Sequence, residues 1–167
     1  MKKSPAYSKN RILIWILTAL LFVLLLTLDQ VSKSWIRLNI PTGRDISVIP
    51  GILSLTNINN TGAAWSFLSG KSFIFEIIAV IAVFVFLFFI YFERNHTGYL
   101  IGLTLMLAGT IGNLLDRFLV GSVTDMIQLD FINFPIFNVA DSCVTIGVIV
   151  LFLVILLAKP ESEKHAE

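Results

Sequence analysis

Side chains able to do chemistry are few in this chain, and most of the candidates are acids. Asp29, Asp116 and Asp141 stand at the ends of long apolar runs, and Asp125 and Asp130 lie between two such runs. Asp125 and Asp141 have no basic neighbour in sequence. If the fold brings them together, like charges in contact cannot both ionise easily, so one holds a proton while the other is charged. That is the requirement for aspartic hydrolysis: one carboxylate takes a proton from water and the other donates to the scissile carbonyl. Other hydrolytic chemistries fit worse. There is no His-Glu-x-x-His, and His96 and His165 fall far from the acids, so a zinc site is not expected. No Gly-x-Ser-Gly with a partner histidine occurs. Ser32 and Lys33 are adjacent, and on a helix they point in different directions. Cys143, the single cysteine, has no nearby base and reads as a packing residue. For Asp29 and Glu76, position alone fits a functional group and an interfacial one equally. Asp116-Arg117 reads as an ion pair closing a helix end.

Four apolar runs must position these groups: 12–28, 73–92, 99–115 and 142–158. Each approaches the roughly 20 residues that cross a bilayer as a helix. The composition agrees: 56% of the 167 residues are hydrophobic and only 14% charged, with a mean hydropathy of +0.87. A soluble core of this length cannot hide so much apolar surface. The net charge of +1 offers no basic face to a nucleic-acid backbone. The basic start (Lys2, Lys3, Lys9, Arg11) resembles a signal peptide, but the apolar run is too long and ends at Asp29-Gln30 without a small-residue cleavage pattern, so it is expected to be a retained first span.

Lysine and arginine orient the spans. The tails 1–11 and 159–167 and the turn bearing Arg94 carry basic residues, which puts both termini in the cytoplasm. The segments 30–72 and 118–141 are then outer, and Asp29, Asp116, Asp125, Asp130 and Asp141 collect at that face. Lys33, Arg37, Arg44 and Lys71 in the outer segment 30–72 run against this bias. The stretch 30–37 continues the first helix, with Trp35 as an interfacial anchor. Two short strands, 46–49 and 52–58, flank Pro50-Gly51. The strip Asn59-Asn60-Thr61-Gly62-Ala63-Ala64-Trp65 is small and polar, suited to backbone approach by a ligand. The tail from Pro160 is expected to fray. The expected fold is therefore mainly α and integral to the membrane: four transmembrane helices, an interfacial helix and a small extracytoplasmic β-sheet in a single domain. A small ion or solute transporter using the same carboxylates is the alternative, although the span interiors offer no polar track across the bilayer.

Five blocks in order resemble the lipoprotein signal peptidase (signal peptidase II) family: Asp29-Gln30-Val31-Ser32-Lys33; Asn60-Thr61-Gly62-Ala63-Ala64-Trp65; Gly109-Thr110-Ile111-Gly112-Asn113-Leu114-Leu115-Asp116-Arg117; Val123-Thr124-Asp125-Met126; and Phe137-Asn138-Val139-Ala140-Asp141-Ser142. The resemblance covers all but the two tails. It implies a monomeric aspartic peptidase of the bacterial cytoplasmic membrane. Such an enzyme cuts prolipoprotein signal peptides just before a diacylglyceryl-modified cysteine and takes membrane lipids, not nucleic acid, as its surroundings. No metal or organic cofactor is implied. Carried over by motif, the catalytic pair is Asp125 and Asp141, while Asp29, Lys33, Asn60, Gly62, Asn113, Asp116, Arg117 and Asn138 shape the site. Thr124 and Met126 replace the family's more usual aliphatic and Phe neighbours of the first aspartate. Asp130 is therefore a rival, and the spacing from Asp116-Arg117 favours Asp125.

Overall fold

With no charge between residues 12 and 28, the first apolar run can satisfy its backbone in hydrocarbon only as a helix. The computed structural model describes residues 5–62 and 72–157 and gives this run as part of one helix, α1, Pro5–Asn39. At about 1.5 Å per residue, its 35 residues outreach the roughly 30 Å of hydrocarbon. The stretch 30–37 is thus helical, as expected, and is a continuation of α1 rather than a separate element. The breaker Pro41-Thr42-Gly43 ends it, with Gly43 at φ 76°.

Strands β1, Asp45–Ile49, and β2, Leu53–Asn60, follow as an antiparallel hairpin. Its tip places Pro50 ahead of Gly51, whose φ of 73° is left-handed, and the Ile52 N–H returns to the Ile49 carbonyl at 2.9 Å. That is the chemistry of a type II turn. After α2, Ser72–Phe92, and α3, Thr97–Val120, the chain turns at Gly121. This residue is left-handed (φ 83°) and donates its N–H to the Arg117 carbonyl, closing the helix. A third strand, β3, Val123–Leu129, then pairs antiparallel with β2 to give the sheet order β1-β2-β3. The sequence marks this outer stretch with no strand signal. Val123, Thr124, Asp125 and Met126 are all buried, so the in–out alternation that marks a strand is absent. Helix α4, Val139–Leu157, completes the described chain.

All four helices are long and apolar enough to cross a membrane. Their large side chains point outward, among them Leu20, Val23, Phe84, Phe88, Phe152 and Leu156, which reverses soluble packing and suits a lipid solvent. Helices α3 and α4 pack through glycine. A Cβ at Gly102 would strike Leu151, one at Gly147 would meet Met106, and one at Gly109 would strike the Ala140 carbonyl oxygen. Small residues of this kind let helix backbones approach in lipid, where apolar burial gives no drive. The described apolar core beyond the spans is small: Ile36 and Ile40 from α1 against Met126 from β3, with Leu55 and Ile127 around them. It seats the sheet on the protruding end of α1.

Candidate active site

The protruding turns of α1 repeat a charged residue every four positions, Asp29, Lys33 and Arg37, so all three lie on one face. That face meets the last turns of α3. Lys33 is fully buried, with Nζ 2.9 Å from Asp29 Oδ2, 3.6 Å from Asp116 Oδ2 and 2.8 Å from Asn113 Oδ1. A buried ammonium is tolerated because two carboxylates and an amide oxygen surround it. The lysine that ran against the orientation bias is therefore a structural charge. Arg37 Nη1 lies 3.3 Å from Asp116 Oδ1.

The expected ion pair between Asp116 and Arg117 does not form. Asp116 faces Lys33 and Arg37, whereas Arg117 donates weakly to the Asn113 carbonyl at 3.4 Å and stacks its guanidinium over Phe75. Successive residues on a helix are turned about 100° apart, so adjacency in sequence separates these two groups in space. Arg117 instead lies within electrostatic reach of Asp141 and Asp125, and among the described residues its Nε meets no hydrogen-bond partner.

Asp141 sits in the first turn of α4 in a reciprocal cap. Its backbone N–H donates to Asn138 Oδ1 at 2.9 Å, and the Asn138 N–H donates back to Asp141 Oδ2 at 3.2 Å. This is the capping-box arrangement with aspartate as the acid. Asn113 Nδ2 donates to Asp141 Oδ1 at 2.7 Å. Asp29 holds the same helix end, its Oδ1 accepting the Ala140 N–H at 2.9 Å. Gln30 steadies Asp29 by donating to its Oδ2 at 3.0 Å and to the Gly112 carbonyl at 3.1 Å. Gly112 is glycine for a reason of space: a Cβ there would stand 2.5 Å from Asp29 Oδ2.

Asp125 arrives from β3. The register of β2 and β3 shifts between Leu55 and Ile58, and Asp125 lies opposite Ile58 just past that irregularity. Asn60 Nδ2 donates to Asp125 Oδ2 at 2.8 Å, and Asn138 Nδ2 donates to Asp125 Oδ1, also at 2.8 Å. The Gly62 N–H fixes the Asn60 amide by donating to its Oδ1 at 2.9 Å. Burial pushes the Asp125 carboxyl up to about 6, helped by the charge of Asp141, while the donors Asn60 and Asn138 and the Lys33 ammonium pull the other way. One amide, Asn138, thus touches Asp125 with its nitrogen and holds the turn bearing Asp141 with its oxygen.

Every predicted site residue belongs to this cluster. Asp130 does not: it lies just past the other end of β3, bonded to Ser54 Oγ at 2.7 Å and Gln128 Nε2 at 3.0 Å. Of the small polar strip, Asn60, Thr61 and Gly62 are described, while Ala63, Ala64 and Trp65 lie outside the described residues, as does the tail from Pro160. Sequence reading missed Gln30, Arg37 and Thr124. The i, i+4 series from Asp29 carried the signal for Arg37. Among the described residues, His96 lies in the α2–α3 turn against Glu93, at the opposite end of α3 from Asn113.

The fold and this cluster define an integral-membrane protein whose reactive groups are carboxylates gathered at one end of a four-helix bundle. Residues 21–157 match the family described as Signal peptidase (SPase) II. The chain is 50% identical to the lipoprotein signal peptidase of Lactiplantibacillus plantarum over 82% of this chain and 92% of that protein. It is 48% identical to that of Enterococcus faecalis over 83% and 86%, respectively. A bacterial membrane enzyme structure solved by the in meso method superposes with a TM-score of 0.79 at 38% identity, covering 83% of this chain and 87% of that one. The chain belongs to the signal peptidase II family of aspartic peptidases, and it is a multi-pass bacterial membrane protein.

Proposed function

We propose that this protein removes the signal peptide from lipid-modified prolipoproteins, with Asp125 and Asp141 as the pair that activates water. The observation that carries the pair is Asn138, one side chain in contact with Asp125 and with the turn that bears Asp141. Asp125, with its carboxyl pushed up to about 6 by burial, holds the pair's proton. Both carboxyls have an N–H donor on each oxygen, and Asp141 is assigned the charge because it lies in the first turn of α4, at the positive end of that helix.

In the forward step Asp141 takes a proton from water, the resulting hydroxide bonds to the scissile carbonyl carbon, and Asp125 passes its proton to the carbonyl oxygen. The gem-diol then collapses. Asp141 delivers its proton to the departing amide nitrogen, the C–N bond breaks, and Asp125 recovers a proton from the diol. The products are a new carboxyl on the signal peptide and a free amine on the cysteine, and the pair ends as it began. Asp29, Lys33, Asn60, Gly62, Asn113, Asp116, Arg117 and Asn138 hold and polarise the site. Neither step calls for a metal or an organic cofactor.

The whole chain acts as one monomeric peptidase unit. Basic residues in the N-terminal tail and beside Arg94 support cytoplasmic termini and a site at the outer face of the bacterial cytoplasmic membrane. There a membrane-spanning signal helix presents its cleavage end, and outward apolar helix faces offer room for the acyl chains. The test is cleavage of a purified prolipoprotein with and without its diacylglyceryl group. Cleavage only of the lipidated form, just before the modified cysteine, is the expected result. Equal cleavage of both forms, or cuts elsewhere, would overturn the substrate assignment.

A further inference from the structure

Arg37 lies outside the sequence blocks that resemble the family, yet its contacts lead to the residue next to Asp125. Its Nη1 donates to Thr124 Oγ1 at 2.9 Å and to Asp116 Oδ1 at 3.3 Å. The other Asp116 oxygen accepts the Thr124 N–H at 2.9 Å. The Thr124 carbonyl accepts from Asn138 Nδ2 at 3.4 Å. Thr124 is thus held at its amide, its hydroxyl and its carbonyl, by α3, α1 and the residue capping α4, and it is fully buried. We infer that Arg37 is a positioning residue for Asp125, clamping Thr124 and Asp116 across the junction of α1, α3 and β3.

The inference rests on Asp125 being catalytic. The two oxygens of Asp125 are held by Asn60 and Asn138, which come from elements other than β3. If Arg37 is lost, Asp116 is left to Lys33 and the Thr124 hydroxyl loses its donor. β3 then shifts against α1 and α3 together with its partner β2, and the hydrogen bond from Asn138 at the start of α4 to Asp125 lengthens. Geometric errors of an ångström at a reacting group cost up to about 100-fold in rate. The Thr at 124 fits this account, because an aliphatic residue there gives Arg37 nothing to hold.

The charged groups around Asp125 are Asp141 on α4, Lys33 on α1 and Arg117 on α3, with Asp116 on α3 reaching the neighbouring Thr124 N–H. Arg37→Met removes a cation beside Asp116, whereas Arg37→Lys and Thr124→Val leave every charge in place. The pH profile of the charge-neutral Thr124→Val therefore reports the geometry of Asp125, and that of Arg37→Met reports geometry and charge together. Arg37→Met, Arg37→Lys and Thr124→Val are to be compared in the full-length protein, purified in detergent, on a lipidated prolipoprotein. Arg37→Met should lower kcat by about 10- to 100-fold with KM held within about twofold. The alkaline limb of kcat/KM should move upward, because a lengthened Asn138 donor and the lost cation both favour the charged carboxylate less. Arg37→Lys, which keeps a donor and a charge, should recover most of both. Thr124→Val should lose about 3- to 10-fold in kcat with the same direction of pH shift.

An inactive fraction alone moves neither KM nor the limb. An unchanged limb in Thr124→Val would overturn the inference, whatever Arg37→Met shows. If Arg37→Met fails to insert, the limb of the near-isosteric Thr124→Val decides. Asp125→Asn, run in parallel, separates the two claims: cleavage by that variant would overturn the catalytic reading whatever Arg37 does.

Discussion

Asp125 and its two amide donors set the expected pH behaviour of the enzyme, with Asp125 and Asp141 as the proposed pair. With its carboxyl pushed up to about 6 chiefly by burial, Asp125 gives up the pair's proton as pH climbs through that value. The kcat/KM of the free enzyme should therefore fall on the alkaline side, about tenfold per pH unit beyond the limb. Because the aspartates interact, the limb belongs to the pair. Asn60 donates to the charged form and so holds the pKa down. Asn60→Ala should move the limb upward, as measured by initial rates over a pH series; a downward shift would contradict the assigned donor. The carboxylates were legible as residues, because acids without a basic neighbour stand out in so apolar a chain, and their asparagines were legible only through the family motifs. The partner of Asp116 was not. Sequence adjacency suggested Arg117, and helical geometry gives Lys33 and Arg37 instead.

At the scale of elements, the site depends on how closely α3 approaches α4 and on the buried charges that tie α1 to α3. Gly109 faces the backbone of Ala140, one residue before Asp141. Gly109→Ala must push α4 away, at a cost of about 1–3 kcal/mol, and should lower kcat because Asp141 moves with its helix. Thermal unfolding and kinetics on the same preparation check both effects. Lys33→Met leaves Asp29 and Asp116 buried without their shared cation. Breaking one side of a buried ion cluster costs about 3–5 kcal/mol, so a large drop in unfolding midpoint is expected, with little expected from the solvated Arg44→Met. Of the elements, the four spans and the β1–β2 hairpin were legible, since hydrocarbon length and the Pro50-Gly51 turn are written locally. β3 was not, because its partner β2 lies far away in sequence and burial erases its alternation.

For the whole molecule, the orientation proposed from the lysine and arginine bias can be read by labelling. In a Cys143→Ala background, which removes a buried free thiol, an impermeant thiol reagent on intact cells should label Thr42→Cys, beside β1. It should leave Asn95→Cys, in the α2–α3 turn, unlabelled until the membrane is broken. The reverse pattern would put the acids on the cytoplasmic side, where a signal peptide presents its charged end and not its cleavage site. The assembly of the site from α1, β2, β3, α3 and α4 was not legible in the chain, because no local pattern records which distant elements share a hydrogen bond. The family motifs marked the members, and the coordinates supply the network.

The central claim is that Asp125 and Asp141 act as one unit on one water. It is tested most directly by kcat/KM for lipidated prolipoprotein with Asp125→Asn, Asp141→Asn and the double variant, each confirmed as inserted and folded. Groups that work as a unit are strongly non-additive. Each single change should therefore abolish cleavage to about the level of the double, while Asp130→Asn stays near wild type. Substantial activity in either single variant, or loss confined to Asp130→Asn, would contradict the account.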